Sequence, residues 1–188
     1  MNEFPQLETD RLILREPQLS DADDVYDYMR RGSVQTFIPN IPVEYTRENA
    51  KEYLESVKDE LNLEEKIVWG ITHRSDSKLI GMANIHDINE RNKQGSLGYA
   101  LNPEYQNNGY MTEAVTAIID YAFTDYTFDD NNIFHRVEAE VAAENKPSRS
   151  LLTDKLGFTE EGKHRDKINI RGHYHDAYTY GLLREDWQ

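Results

Sequence analysis

No cysteine occurs among the 188 residues. That excludes disulfide bonds, thiolate nucleophiles and cysteine metal ligands, and it suits a reducing compartment. Long apolar runs are also missing. None approaches the roughly 20 residues that span a bilayer, and the opening Met1-Asn2-Glu3-Phe4-Pro5 lacks a basic region followed by an apolar one. The expectation is a soluble, cytoplasmic protein. Basic residues are scarce beside acidic ones: 21 Lys and Arg against 35 Asp and Glu give a formal net charge of -14. Such a surface repels phosphate backbones and anionic lipid, so neither nucleic acid nor membrane is expected as a partner. It suits a cationic ligand such as an amine or basic peptide, and it equally serves solubility alone.

What is present suffices for one packed core. Hydrophobic residues at 38% and aromatics at 11%, in a chain of this length without internal repeat or linker, suit one domain over residues 1–188. The chain is organised around Leu97 to Tyr126. There an apolar segment, Leu97 to Leu101, leads through Pro103 and the turn Gln106-Asn107-Asn108-Gly109-Tyr110-Met111 into a helix with Met111, Ala114, Val115, Ile118, Ile119, Ala122 and Tyr126 on one face. A helix N-terminus after a glycine turn offers unpaired N–H groups to an anion, and it is also an ordinary connection.

Before this segment, residues 10–16 alternate as a strand with Leu12 and Leu14 on one face. Ser20 reads as the N-cap of a helix that carries Val25, Tyr28 and Met29 and stops near Gly32. The stretch Ser33 to Tyr45, with Phe37, Ile38, Pro39 and Pro42, reads either as a loop bordering a pocket or as a packed apolar connection. Thr46 caps a second helix bearing Ala50, Tyr53, Leu54, Val57 and Leu61. Ile67 to Thr72, Leu79 to Ile85 and Gly95 to Leu101 read as an antiparallel meander. After the long helix and an acidic turn at Asp125 to Asn132, His135 to Val141 alternates and returns parallel to an earlier strand. Pro147 opens a short helix that Gly157 ends, and a hairpin around Arg171-Gly172 closes the chain.

These segments resemble the GNAT superfamily of acyl-CoA N-acyltransferases, in particular the ribosomal-protein-alanine N-acetyltransferase (RimJ/RimL) type. The resemblance rests on Leu7 to Arg15 (L-E-T-D-R-L-I-L-R), the G-Y-M-T-E-A core within Leu97 to Ala114, Arg136-Val137-Glu138-Ala139, Asn145-Lys146-Pro147-Ser148, Lys155-Leu156-Gly157-Phe158, Glu161-Gly162 and Leu183-Arg184-Glu185-Asp186-Trp187. It covers nearly the whole chain. It implies an α+β fold whose mostly antiparallel sheet, flanked by helices, is splayed open where acetyl-CoA enters, and it implies no metal.

By the same resemblance, Gln106 and Gly109 match the family's Q/R-x-x-G-x-G/A loop, so the backbone from Gln106 through Asn107, Asn108, Gly109, Tyr110 and Met111 to Thr112 is expected to hold the cofactor pyrophosphate. Met111 departs from the usual glycine or alanine. Asn145 is the expected pantetheine ligand, and Ser148 reads either as the acid that protonates the leaving thiolate or as a helix-start residue. The interval from Asn145 to Gly157 is one residue longer than usual, and anchoring on Gly157 puts Arg149 at the serine position instead.

Acetyl transfer to an amine requires a neutral nitrogen and a stabilised oxyanion. Backbone N–H groups near Tyr99, Ala100 and Leu101 are expected to serve the oxyanion. The family's basic glutamate is replaced here by Ile168, leaving Glu138, Glu140, His86, Asp87 and His135 as substitutes, with Glu138 taken as the catalytic choice. His173 and His175 beside Asp176 have a spacing compatible with zinc, but such histidines usually meet solvent or carboxylate. The acceptor is expected to be a primary amine, either a protein N-terminus or a polyamine or other small amine. The non-enzymatic alternative is an acyl-CoA-binding module. Homodimers are common in the resembled family.

Overall fold

The computed structural model describes residues 4–62, 66–75, 77–127 and 133–187. Among these residues eight strands form one sheet in the order β1-β2-β3-β4-β5-β6-β8-β7. The first strands are β1 (Leu7–Glu8) and β2 (Leu12–Arg15). Strict alternation in β2 buries Leu12 and Leu14 completely.

The chain next makes a 3-10 turn over Leu19–Asp21 and then α1 (Ala22–Met29). Ser20, expected as the N-cap, lies inside that turn. Gln18 caps the turn, its backbone N–H donating to the Asp21 carboxylate at 2.8 Å, and the N-cap position of α1 itself falls on Asp21, which also takes both guanidinium donors of Arg15, at 2.7 and 2.8 Å. Gly32 opens an additional short helix, α2 (Gly32–Gln35). Thr46 does cap α3 (Arg47–Asn62): its hydroxyl accepts the Asn49 N–H while the Asn49 side chain accepts the Thr46 N–H. Ala50, Leu54 and Val57 are buried as their spacing requires. The Leu61 side chain falls outside the described residues.

The meander consists of β3 (Ile67–His73), β4 (Leu79–Asn89) and β5 (Gln94–Leu101), paired antiparallel as expected. The long helix is α4 (Tyr110–Thr124), and every expected core residue from Met111 to Ala122 is buried. Tyr126 lies beyond its end and packs against Tyr121 and Phe134 instead. Residues 128–132 of the expected acidic turn lie outside the described set.

After the crossover, β6 (Arg136–Ala142) runs parallel to β5. Next come α5 (Lys146–Ser150), β7 (Thr159–Ile170) and β8 (His173–Leu183). Arg171 and Gly172 at the last hairpin have φ of 53° and 83°, the left-handed pair that a tight hairpin turn requires.

Two apolar clusters cover opposite sheet faces. One joins α4 to Ile85, Leu97, Val137, Ala139, Val141 and Tyr180. The other joins α1 and α3 to Val68, Leu79 and Met82. No helix among the described residues is long and apolar enough to cross a membrane.

Candidate active site

The parallel junction is short. β5 and β6 pair only at Gln94–Arg136, Gly95–Val137 and Ser96–Glu138, although β5 continues to Leu101 and β6 to Ala142. Past Ser96 the two strands diverge and leave backbone edges facing a gap. Around that gap is a cavity of about 840 Å³, lined by both strands together with α5, β7 and the Phe37–Pro39 stretch. Of the two readings of Ser33 to Tyr45, the pocket border therefore holds for Phe37, Ile38 and Pro39, while Ile38 also packs on the α1–α3 cluster.

Strand alternation divides the lining between the two faces of the sheet. Leu97, Tyr99, Ala139 and Val141 belong to the α4 side. His86, Ser96 and Glu138 are register partners across β4, β5 and β6, and they occupy the opposite side.

On the α4 side the Tyr99 hydroxyl and Ser148 Oγ lie 2.7 Å apart. Burial pushes the Tyr99 phenol up to about 12, against the pull of its hydrogen bond with Ser148. Asn145 caps α5, its side-chain oxygen accepting the Ser148 N–H at 3.4 Å. Arg149 turns elsewhere: its Nε donates to the Tyr180 hydroxyl at 2.9 Å and its guanidinium lies 3.9 Å from the Tyr178 ring centre.

Downstream of Ser148 the helix changes form. Leu151–Lys155 forms a π-helical turn, closed by the Leu156 N–H on the Leu151 carbonyl at 3.2 Å. A π-turn accommodates one inserted residue without moving what precedes it. Ser148, which precedes the π-turn, faces Tyr99.

The Gln106–Thr112 turn lies past the end of β5, outside the cavity lining. The Gln106 side chain donates to the Leu101 carbonyl at 3.1 Å. Asn107 and Gly109 take left-handed φ of 62° and 78°. No side chain caps α4, so its first N–H groups remain for solvent or a ligand. A Cβ on Gly109 would meet only Arg11 Nη2, at 3.5 Å, so backbone is what this turn presents. Met111 is buried in the core, which explains how a bulky side chain fits the loop. Ala100 and Leu101 pack on the two clusters and do not line the cavity.

Arg11, which the sequence did not single out, braces this turn. It pairs with Glu113 at 2.6 Å, donates to the Asn108 carbonyl at 3.0 Å and covers the Tyr110 ring at 4.4 Å. Burial pushes the Glu113 carboxyl up, but hydrogen bonds from Thr9 and Arg11 outweigh it and hold the group below the usual carboxylate range.

On the opposite face Arg136 donates to Glu138 at 2.7 Å and pairs with both oxygens of Glu161. Its guanidinium lies where a Cβ on Gly181 would stand. His86 Nδ1 is 2.8 Å from Asn84 Oδ1. Glu140, Asp87 and Ile168 also line the cavity, and His135 does not. His175 contacts Glu144 at 3.3 Å, and no group of three metal-ligating side chains occurs among the described residues.

A mixed sheet parted between two parallel strands, beside a glycine turn at a helix N-terminus, defines an acyl-CoA-dependent acyltransferase architecture. Residues 11–159 match the acetyltransferase (GNAT) domain, and the chain belongs to that family, as an N-acetyltransferase using acetyl-CoA. It is 31% identical over 182 residues to an uncharacterized N-acetyltransferase, p20, of Bacillus licheniformis, covering 96% of this chain and 97% of that one. It is 28% identical to the [ribosomal protein uS5]-alanine N-acetyltransferase of Escherichia coli, over 97% and 92% of the two chains. The crystal structure of a ribosomal-protein-S5-alanine acetyltransferase from Vibrio fischeri matches with a TM-score of 0.81 at 26% identity, over 98% of this chain and 99% of that one.

Proposed function

We propose that this chain, acting as a single cytoplasmic domain, acetylates the α-amine of a protein N-terminus. The observation that carries the reading is the Tyr99–Ser148 hydroxyl pair, 2.7 Å apart in the gap between β5 and β6. Acetyl-CoA, when bound, supplies an activated thioester. The chain's own groups position and protonate. The backbone N–H groups of Asn107 to Thr112 are suited to the pyrophosphate, Asn145 to pantetheine, and the edge of β5 at Tyr99, past its pairing with β6, to the thioester oxygen. Ser148 holds a proton at Oγ for the departing sulfur, and Tyr99, protonated throughout the neutral range, replenishes it.

An α-amine suits the site chemically. Roughly one in ten is neutral at pH 7, against about one in a few thousand for lysine, so less is asked of a base. Similarity to the alanine N-acetyltransferase of Escherichia coli points the same way. The acidic face of the cavity, with Asp87, Glu138, Glu140 and Glu161, also favours a cationic acceptor.

The test supplies acetyl-CoA with N-terminal peptides beginning in alanine or serine and, separately, with polyamines, and measures amine-dependent release of CoA thiol. Peptide turnover that exceeds polyamine turnover supports the reading. Turnover of polyamines alone overturns it.

A further inference from the structure

We propose that His86 takes the proton from the acceptor amine. The inference rests on the acetyl transfer proposed above and adds the group that handles the entering nitrogen. A donor for the departing sulfur and an acceptor for nitrogen protons serve different sides of the reacting carbon, and the sheet separates them. Tyr99 and Ser148 belong to the α4 face. His86 stands on the other face, in the row with Ser96 and Glu138 where β5 and β6 part.

The titratable groups lining that side are His86 and Asp87 of β4, Arg136, Glu138 and Glu140 of β6, and Glu161 and Lys167 of β7. Arg136 holds Glu161 through both oxygens and Glu138 through Oε1, so a proton taken up by either carboxylate would sit beside the guanidinium. The Arg136 guanidinium is seated in the space left by the missing Cβ of Gly181. Asp87 and Glu140 are exposed, with no contact among the described residues that orients either toward an acceptor, whereas histidine is the side chain most often used to shuttle protons at neutral pH.

His86 is also oriented. Its Nδ1 lies 2.8 Å from Asn84 Oδ1, an oxygen that accepts only, and this contact favours the tautomer with the proton on Nδ1 and the basic lone pair on Nε2. Gly98, the register partner of Asn84, leaves room for that amide: a Cβ there would lie 3.0 Å from Asn84 Oδ1. Asp87 Oδ2 lies 3.6 Å from His86 Nε2 and compensates the charge once the ring is protonated.

In the transfer the N–C bond forms as the C–S bond breaks, and the ammonium gives up two protons. One passes through His86 Nε2 to solvent. The other restores the Tyr99 proton that replenished Ser148 after its own went to sulfur, so amide, thiol and one released proton balance the equation.

The experiment compares kcat/KM at pH 7.5 for wild type, His86→Gln, His86→Asn, Glu138→Gln and Glu140→Gln. Each is tested with an N-terminal peptide and with an aniline-type amine that is already neutral at that pH, and acetyl-CoA binding is titrated as a check on folding. The expected result is a loss of about 100-fold or more with the peptide in both His86 variants, the usual worth of a general base. The aniline acceptor should change little and acetyl-CoA affinity should hold. Peptide turnover retained in the His86 variants, an equal loss with both amines, or the large peptide-specific loss falling on Glu138→Gln or Glu140→Gln overturns the assignment of His86 while leaving the acetyl-transfer reading intact. Failure of wild type to turn over the peptide overturns the acceptor reading, and His86 falls with it.

Discussion

Arg11 and Glu113, 102 residues apart in sequence, meet at 2.6 Å beside the glycine turn that opens α4. Glu113 sits in the first turn of that helix, where an uncompensated carboxylate would repel a phosphate ligand held by the same N-terminus. Arg11 neutralises it and ties down the Asn108 carbonyl.

Arg11→Ala is therefore expected to weaken acetyl-CoA binding by roughly fivefold, the scale of a partly exposed charge contact. Adding Glu113→Gln to that variant should recover most of the loss. Calorimetric titration of the four proteins in the cycle checks this, and a double variant as weak as Arg11→Ala would show that charge compensation is not the role of the pair.

Ser148→Ala should lower kcat by roughly 10- to 100-fold with KM for acetyl-CoA nearly unchanged, because the hydroxyl is assigned to proton transfer. Tyr99→Phe should act in the same direction and more weakly. A rise in KM for acetyl-CoA at constant kcat would assign Ser148 to binding instead.

The π-turn of Leu151–Lys155 implies that one residue can be removed after Ser148 at little cost. Deletion of Thr153, whose side chain is exposed, should convert the turn to ordinary helix and keep turnover within about threefold of wild type, since a π-turn is one inserted residue. A folded deletion variant without activity would mean that the register of Ser148 depends on that turn.

Burial pushes the phenols of Tyr45, Tyr99 and Tyr121 up to about 12, from an ordinary 10.0. Because the folded state holds these protons more tightly than the unfolded chain, their contribution to stability is complete below pH 10 and is lost as pH rises from 10 toward 12. Urea unfolding midpoints should fall across pH 10 to 11, and less steeply in Tyr121→Phe. A constant midpoint up to pH 11 would contradict the shift.

Much of the fold was legible because periodicity reports burial directly. The α4 face from Met111 to Ala122 and the alternation of Leu12 with Leu14 and of Val137 with Ala139 and Val141 all reach the core. Ser20 misled because its cap potential is local, whereas the actual box is set by Arg15 gripping Asp21 from the preceding strand. The glycine turn at Gln106 to Met111 and the start of α5 at Asn145 to Ser148 were legible as local structure, because each follows the chain. The sequence alone left Ser148 and Arg149 competing for one position, and the π-turn at Leu151–Lys155, which bears on that spacing, has no pattern of its own. Arg11 with Glu113, Asn84 with His86, and Arg149 with Tyr178 and Tyr180 are tertiary meetings that spacing along the chain does not reveal.

The central claim is that acetyl-CoA enters the gap between β5 and β6 with its phosphates on the α4 turn and its sulfur at Ser148. A crystal structure of the CoA complex tests it most directly. The account predicts pyrophosphate oxygens within hydrogen-bond range, about 3.2 Å, of backbone N–H groups between Asn107 and Thr112, and the thiol sulfur within about 4 Å of Ser148 Oγ. Pyrophosphate bound away from that turn, or a sulfur directed away from Ser148, would contradict it.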